Sequence, residues 1–197
     1  MIQTLDDKEK LYVTEKLFEV SSSHLINRLR LGGVVLFFFV HCLNYYHFGY
    51  TTSDVHKAML SITALWFVFC GAIFLAHKFM VSRWWIKFLG SFIDVFLLSM
   101  ILWVGDGPKS PLVSLYLILL ILSGLHFSFS LLKCTIVFVI FAYLSTTYQA
   151  SRYRPEYAIE HSQILIFLAT ICLCAAIIFQ LVGLFRRLVI KGDVRNV

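Results

Sequence analysis

One carboxylate stands alone in an apolar run, since Asp94 is the single ionisable side chain between Phe88 and Val104. At hydrocarbon depth a carboxylate costs several kcal/mol unless it faces other helices, finds a partner or takes up a proton. Asp94 is therefore expected to point into a bundle. There it would contact a proton, an ion or a ligand, or make a structural hydrogen bond to a neighbouring helix. Lys87, Ser91, Asp94 and Leu98 recur at helical spacing and draw one polar stripe along that helix. Directly after it, Gly105-Asp106-Gly107-Pro108 gathers turn formers before Ser110-Pro111 opens the next apolar run. The turn is either a plain connection or an outer lip over a pocket, with Ser110, Ser114 and Tyr116 offering hydroxyls beside Pro111.

Seven histidines invite a second chemistry, because neutral imidazole ligates both metals and haem. They sort by depth. His47, His56 and His161 fall toward one face, His24, His77 and His126 toward the other, and His41 inside the first apolar run. His56 and His77 are separated by about 31 Å of helix, which puts both at headgroup level. Pairing across helices keeps a b-type haem or a metal open as the alternative reading. The five cysteines form no CxxC pair and read as buried thiols. Cys172 and Cys174 face opposite sides of a helix and read as packing residues. Asn44, Gln163, Thr170 and Gln180 suit structural hydrogen bonds between helices. No hydrolase triad order, Walker loop or HExxH signature occurs, so no catalytic residue is expected.

The elements that position these residues follow from composition. The chain is 59% hydrophobic and only 14% charged, far outside soluble composition. A backbone crossing the hydrocarbon satisfies its own hydrogen bonds in a helix of about 20 residues. Six such runs are read at 31–50, 57–78, 86–104, 111–127, 131–149 and 162–185. The expected fold is an all-α, polytopic bundle of six transmembrane helices. Asp6 and Asp7 can cap an amphipathic interfacial helix through about Val20, which Ser21-Ser22-Ser23 interrupts before a new helix opens near His24. Arg28 and Arg30 then stand just ahead of the first run. Residues 1–22 form the interfacial helix, 23–187 the membrane domain and 188–197 a tail or linker. Mixed charge in the first thirty residues, without a short apolar core and cleavage site, argues against a cleaved signal peptide.

Of the 17 Lys and Arg, only Lys57, Lys109, Arg152 and Arg154 lie in the alternate loops, which places both termini in the cytoplasm. The outer loops are then 51–56, 105–110 and 150–161. Trp66, Trp84, Trp85 and Trp103 read as interfacial rings toward span ends. The net charge of +6 reports orientation in the membrane and no nucleic-acid partner is expected.

The central hairpin resembles the membrane sensory domain of RpfC-type sensor kinases, whose members detect cis-unsaturated fatty-acid quorum signals, and similar anchors on bacterial class III adenylate cyclases. The resemblance runs through Ser23-His24-Leu25-Ile26-Asn27-Arg28, Leu89-Gly90-Ser91-Phe92-Ile93-Asp94, and Gly105 to Leu112 followed by Leu115-Tyr116 and Gly124-Leu125. It spans about residues 23–187, with its specific portions at Asp94 and Ser110-Pro111. It implies an input domain of a bacterial inner-membrane protein, without a cofactor, dimeric, and coupled to a cytoplasmic kinase or cyclase. A small hydrophobic ligand would meet Asp94, Ser91, Ser110, Pro111, Ser114 and Tyr116. Its signal would leave through the sixth helix at Arg186-Arg187. The chain departs from the family in having His126-Phe127-Ser128 where a basic turn is common, and it ends at Val197 without a phosphoacceptor box, an ATP-binding lobe or a cyclase domain. It is expected to be either an excised input domain or a free-standing version working through a partner.

Overall fold

The structure is a computed structural model of the 197-residue chain. It describes the backbone of residues 7–48, 52–79, 84–126 and 128–194, and side chains within 25–47, 52–76, 85–126 and 128–185. Among the described residues all regular structure is helical. The long helices are α1 (Asp7–Leu43), α2 (Ser53–Phe79), α3 (Trp84–Val104), α5 (Phe129–Tyr153) and α6 (His161–Val194), with a short α4 (Leu115–Gly124) between α3 and α5. A π-helical turn, Asn44–Phe48, follows α1, and 3-10 turns cover Gly107–Lys109, Pro111–Ser114 and Pro155–Tyr157. Among the described residues five helices are long and apolar enough to cross a membrane: Leu25–His47, Ser53–Ala76, Trp85–Val104, Phe129–Tyr153 and His161–Phe185. The chain is a multi-pass membrane protein.

Two expectations about the elements need correction. Ser21-Ser22-Ser23 does not interrupt the first helix, whose backbone continues from Asp7 to Leu43. Serine in a helix costs only a few tenths of a kcal/mol relative to good formers, and strong helix formers on both sides outweigh three of them. The run 111–127 is not a full-length α-helix. Pro111 brings no N–H, the Ser110 hydroxyl accepts from the Leu112 amide, and the segment starts as a 3-10 turn. From Pro111 to Gly124 it spans about 23 Å, short of the ~30 Å hydrocarbon thickness.

The direction of each helix follows from its contacts. Ser91 on α3 meets Thr135 on α5, Oγ to Oγ1 2.7 Å, near the start of both helices. At their other ends Arg154 Nη1 donates to the Trp103 and Gly105 carbonyls, both at 3.0 Å. These two helices therefore run parallel and in step, and the segment between them runs back toward the start of α5. Helix α4 makes that return and packs against α3, α5 and α6. The 105–110 turn and the 154–160 segment lie at one end of the bundle, where Lys109 Nζ donates to the Glu156 carbonyl at 2.6 Å. Met59, near the start of α2, reaches the same end, its Cε 2.7 Å from where a Cβ on Gly105 would stand. Gly107, at φ +59°, takes a left-handed backbone that glycine adopts without strain and so lets this turn close.

Leu98, Ile101, Tyr116, Leu120, Val139 and Ile171 are fully enclosed and put the core between α3, α4, α5 and α6. The span of α3 is the most enclosed, 56% buried, whereas that of α6 is only 17% buried and faces outward along most of its length. Trp85 and Trp103 are half-exposed near the ends of α3, as interfacial rings should be. Trp66 corrects that reading, being buried at mid-helix in α2. The cysteines are all free, but only Cys70 is buried, and Cys172 is exposed. Apolar surroundings in the sequence do not separate a bundle interior from a lipid-facing side, because both are apolar.

Candidate functional site

Asp94 is 2% exposed at the middle of α3 and is held from two other helices. Trp66 Nε1 on α2 donates to Oδ1 at 2.9 Å. Arg30 on α1 places Nε 2.5 Å from Oδ2, an electrostatic contact whose N–H is not directed along a hydrogen bond. Arg30 Nη1 also donates to Asn27 Oδ1 at 3.4 Å, and Asn27 itself is buried. The guanidinium fits because residue 90 is glycine, where a Cβ would lie 2.9 Å from Arg30 Nη1. Three helices thus meet on one carboxylate. A buried pair of this kind is strongly destabilised when one partner is removed, since the other charge stays behind.

The expected polar stripe is buried along its whole length, with Lys87 at 5%, Ser91 at 7%, Asp94 at 2% and Leu98 at 0% exposure. Arg30 corrects the view that it stands as an interfacial cation ahead of the first span, because it is 8% exposed and paired inside the bundle. Trp66 and Arg30 escaped the sequence reading although signals for both existed. A mid-membrane acid calls for a cation partner, and a tryptophan far from both ends of an apolar run is not at an interface.

The candidate ligand residues do not converge on one point. Ser91 and Asp94 lie in the Arg30–Trp66 layer. Tyr116, fully buried, bonds through its hydroxyl to Ser99 Oγ at 2.8 Å, about 7.5 Å further along α3 from Asp94. Ser110, Pro111 and Ser114 sit at the end of the bundle beyond Val104. There Ser110 caps the 3-10 turn and Ser114 Oγ donates to the Pro111 carbonyl at 2.7 Å. About 15 Å of α3 separates Asp94 from that end. Arg186 and Arg187 lie on the α6 backbone, their side chains outside the described residues.

Two cavities adjoin these layers. Between α3 and α5 a groove of ≈ 480 Å³ opens on the apolar outer surface, walled by Phe92, Phe96, Phe138 and Phe141. Ser99 on α3 and Ser145, Thr146 and Gln149 on α5 add polar groups toward one end, with Trp103 beside them. Ser99 also bonds Tyr116, so the groove lies directly behind the hydroxyl of α4. The volume falls in the usual range for small-molecule sites, about 300–1,000 Å³. A second cavity of ≈ 360 Å³ lies under Pro108 and Lys109, lined also by Tyr143, Gln163 and Phe167. The turn therefore borders a cavity through Pro108 and Lys109, while Ser110, Pro111 and Ser114 do not line it.

The histidines are distributed. His41 on α1 and His56 on α2 meet, Nε2 to Nδ1 3.0 Å, and both are buried. His41 and His56 pair with each other across the α1–α2 contact. His126 is buried at the end of α4, His47 and His161 are exposed, and the side chains of His24 and His77 lie outside the described residues. Among the described residues no group of three or more His, Cys, Asp or Glu converges.

Fold and site together define an all-helical, multi-pass membrane bundle with a buried three-helix polar lock and a side-opening apolar groove. The chain matches no protein-family model, no curated protein and no solved structure.

Proposed function

We propose that the chain is the membrane input domain of a bacterial signalling protein. It takes a small hydrophobic ligand from the bilayer and passes a movement through α6 to a cytoplasmic kinase or cyclase, in cis or in trans. In this reading α4 is a sixth passage, both termini lie in the cytoplasm of an inner-membrane protein, and the working form is a homodimer. The observation that carries the reading is the ≈ 480 Å³ groove between α3 and α5, mostly apolar with polar groups toward one end. A ligand with a short polar head and a flexible apolar tail matches that lining. Occupancy that separated α3 from α5 would disturb the Ser99–Tyr116 bond and hence α4.

Helix α4 in turn lies against α6 without clearance, since a Cβ on Gly124 would stand 2.3 Å from Ile178 Cγ2. Helix α6 then continues unbroken to Val194, a rod of about 50 Å able to carry a shift out of the bundle. The Arg30–Asp94–Trp66 lock holds α1, α2 and α3 as the fixed half against which α4, α5 and α6 move. Signalling requires the ligand to bind two helix packings with different affinity.

The test uses Trp103, half-exposed at the groove. A dibrominated medium-chain cis-unsaturated fatty acid, added to the protein in nanodiscs, should quench Trp103 saturably. Ala142→Phe, which fills the groove, should abolish saturation. Equal, non-saturating quenching of both proteins would sink the assignment.

A further inference from the structure

Where the end of α1 meets the start of α2, two buried imidazoles face each other beyond the apolar contacts of these helices. His41 Nε2 and His56 Nδ1 are 3.0 Å apart, and the two residues are 6% and 7% exposed. Both rings are held in place. Tyr45 stacks on His56 with centroids 3.8 Å apart and planes 4° from parallel, while Phe37 stacks on His41 at 6.2 Å. Tyr46 closes the His56 ring edge-on at 5.6 Å. Tyr45 and Tyr46 reach these positions from the π-helical turn Asn44–Phe48, which widens the helix end, and such turns recur at functional sites.

An imidazole–imidazole bond needs one nitrogen to donate and the other to accept. It survives while at least one ring is neutral. When both rings carry two protons, two donors and two positive charges face each other across 3.0 Å, in surroundings that desolvate them. We propose that the His41–His56 pair is a proton-operated latch between α1 and α2, closed when at least one imidazole is neutral and opened by acid. The latch adds a proton input at the end of the bundle opposite the start of α3 and does not depend on the ligand groove.

The groups around the pair leave it as the responsive element. On α2, Asp54 and Lys57 flank His56 and are exposed. On the π-helical turn the neighbours are the two tyrosines and the exposed His47. The last turn of α3, Ile101–Val104, carries no ionisable side chain. The turn after it brings Asp106 and Lys109, the latter bonded to the Glu156 carbonyl. Among the described residues no carboxylate is ion-paired or hydrogen-bonded to either imidazole.

Thermal unfolding of the full chain in nanodiscs tests this, compared between about pH 8 and about pH 5, the range over which histidine titrates. The unfolding temperature of the wild type should fall by several degrees on acidification, and His41→Phe and His56→Phe should each remove most of that fall. An unchanged fall in both variants, or none in the wild type, overturns the latch. If the variants do not fold, nitrogen-15 spectra of histidine-labelled wild type decide. A coupled pair of resonances that changes together in acid supports it, and resonances of His41 and His56 that change independently of each other overturn it.

Discussion

At the scale of single residues, the Arg30–Asp94 pair makes a demand that its separate members do not. Arg30→Met leaves a buried carboxylate without its cation and should cost about 3–5 kcal/mol in reversible unfolding from mixed micelles. Arg30→Met combined with Asp94→Leu should recover most of that loss, because no charge then remains buried. A double variant as unstable as the single one would show that the pair is not the source of the cost. Trp66→Phe keeps the ring but removes the donor to Oδ1 and should cost about 1–3 kcal/mol by the same measurement. The inward direction of Asp94 and its stripe was legible, because an isolated acid in hydrocarbon has few alternatives. Its partners were not. A basic residue at the head of an apolar run looks the same whether it anchors at the headgroups or turns inward, and Gly90, which makes room for it, gives no pattern of its own.

At the scale of elements, the short helix α4 lies against α6 without clearance. Gly124→Ala should drive α4 away from α6, since its new Cβ would meet Ile178 Cγ2 at 2.3 Å. The expected loss is about 1–3 kcal/mol, relieved in an Ile178→Ala background. Gly32→Ala serves as the control, because nothing lies within 4 Å of its Cβ position. Equal effects of the two substitutions, read by thermal unfolding in nanodiscs, would contradict the close approach. Five long helices were legible from length and apolar content alone. The fourth run was legible as an element but not in form: its apolar count suits a span, whereas Pro111 and the Ser110 cap turn its first residues into a tighter coil. The pairing of α3 with α5 was not legible, since Ser91 and Thr135 are 44 positions apart and both lie in ordinary apolar surroundings.

At the scale of the whole molecule, the proposed reading counts the return by α4 between the parallel helices α3 and α5 as a sixth passage, beside the five helices long enough to cross. Tags at the two termini should therefore be reached by protease from the same side of the membrane. Tags reached from opposite sides would leave α4 as a non-spanning segment. The central claim concerns coupling, from the groove through α4 to the end of α6. It is tested most directly by joining the chain through α6 to the catalytic domain of a class III adenylate cyclase and measuring cyclic AMP against added medium-chain cis-unsaturated fatty acid. A saturable change in cyclase activity that Ala142→Phe abolishes, with the fusion still in the membrane, is the predicted result. The same response in the wild type and in the filled-groove variant, or no response in the wild type while Trp103 is quenched, would contradict the account.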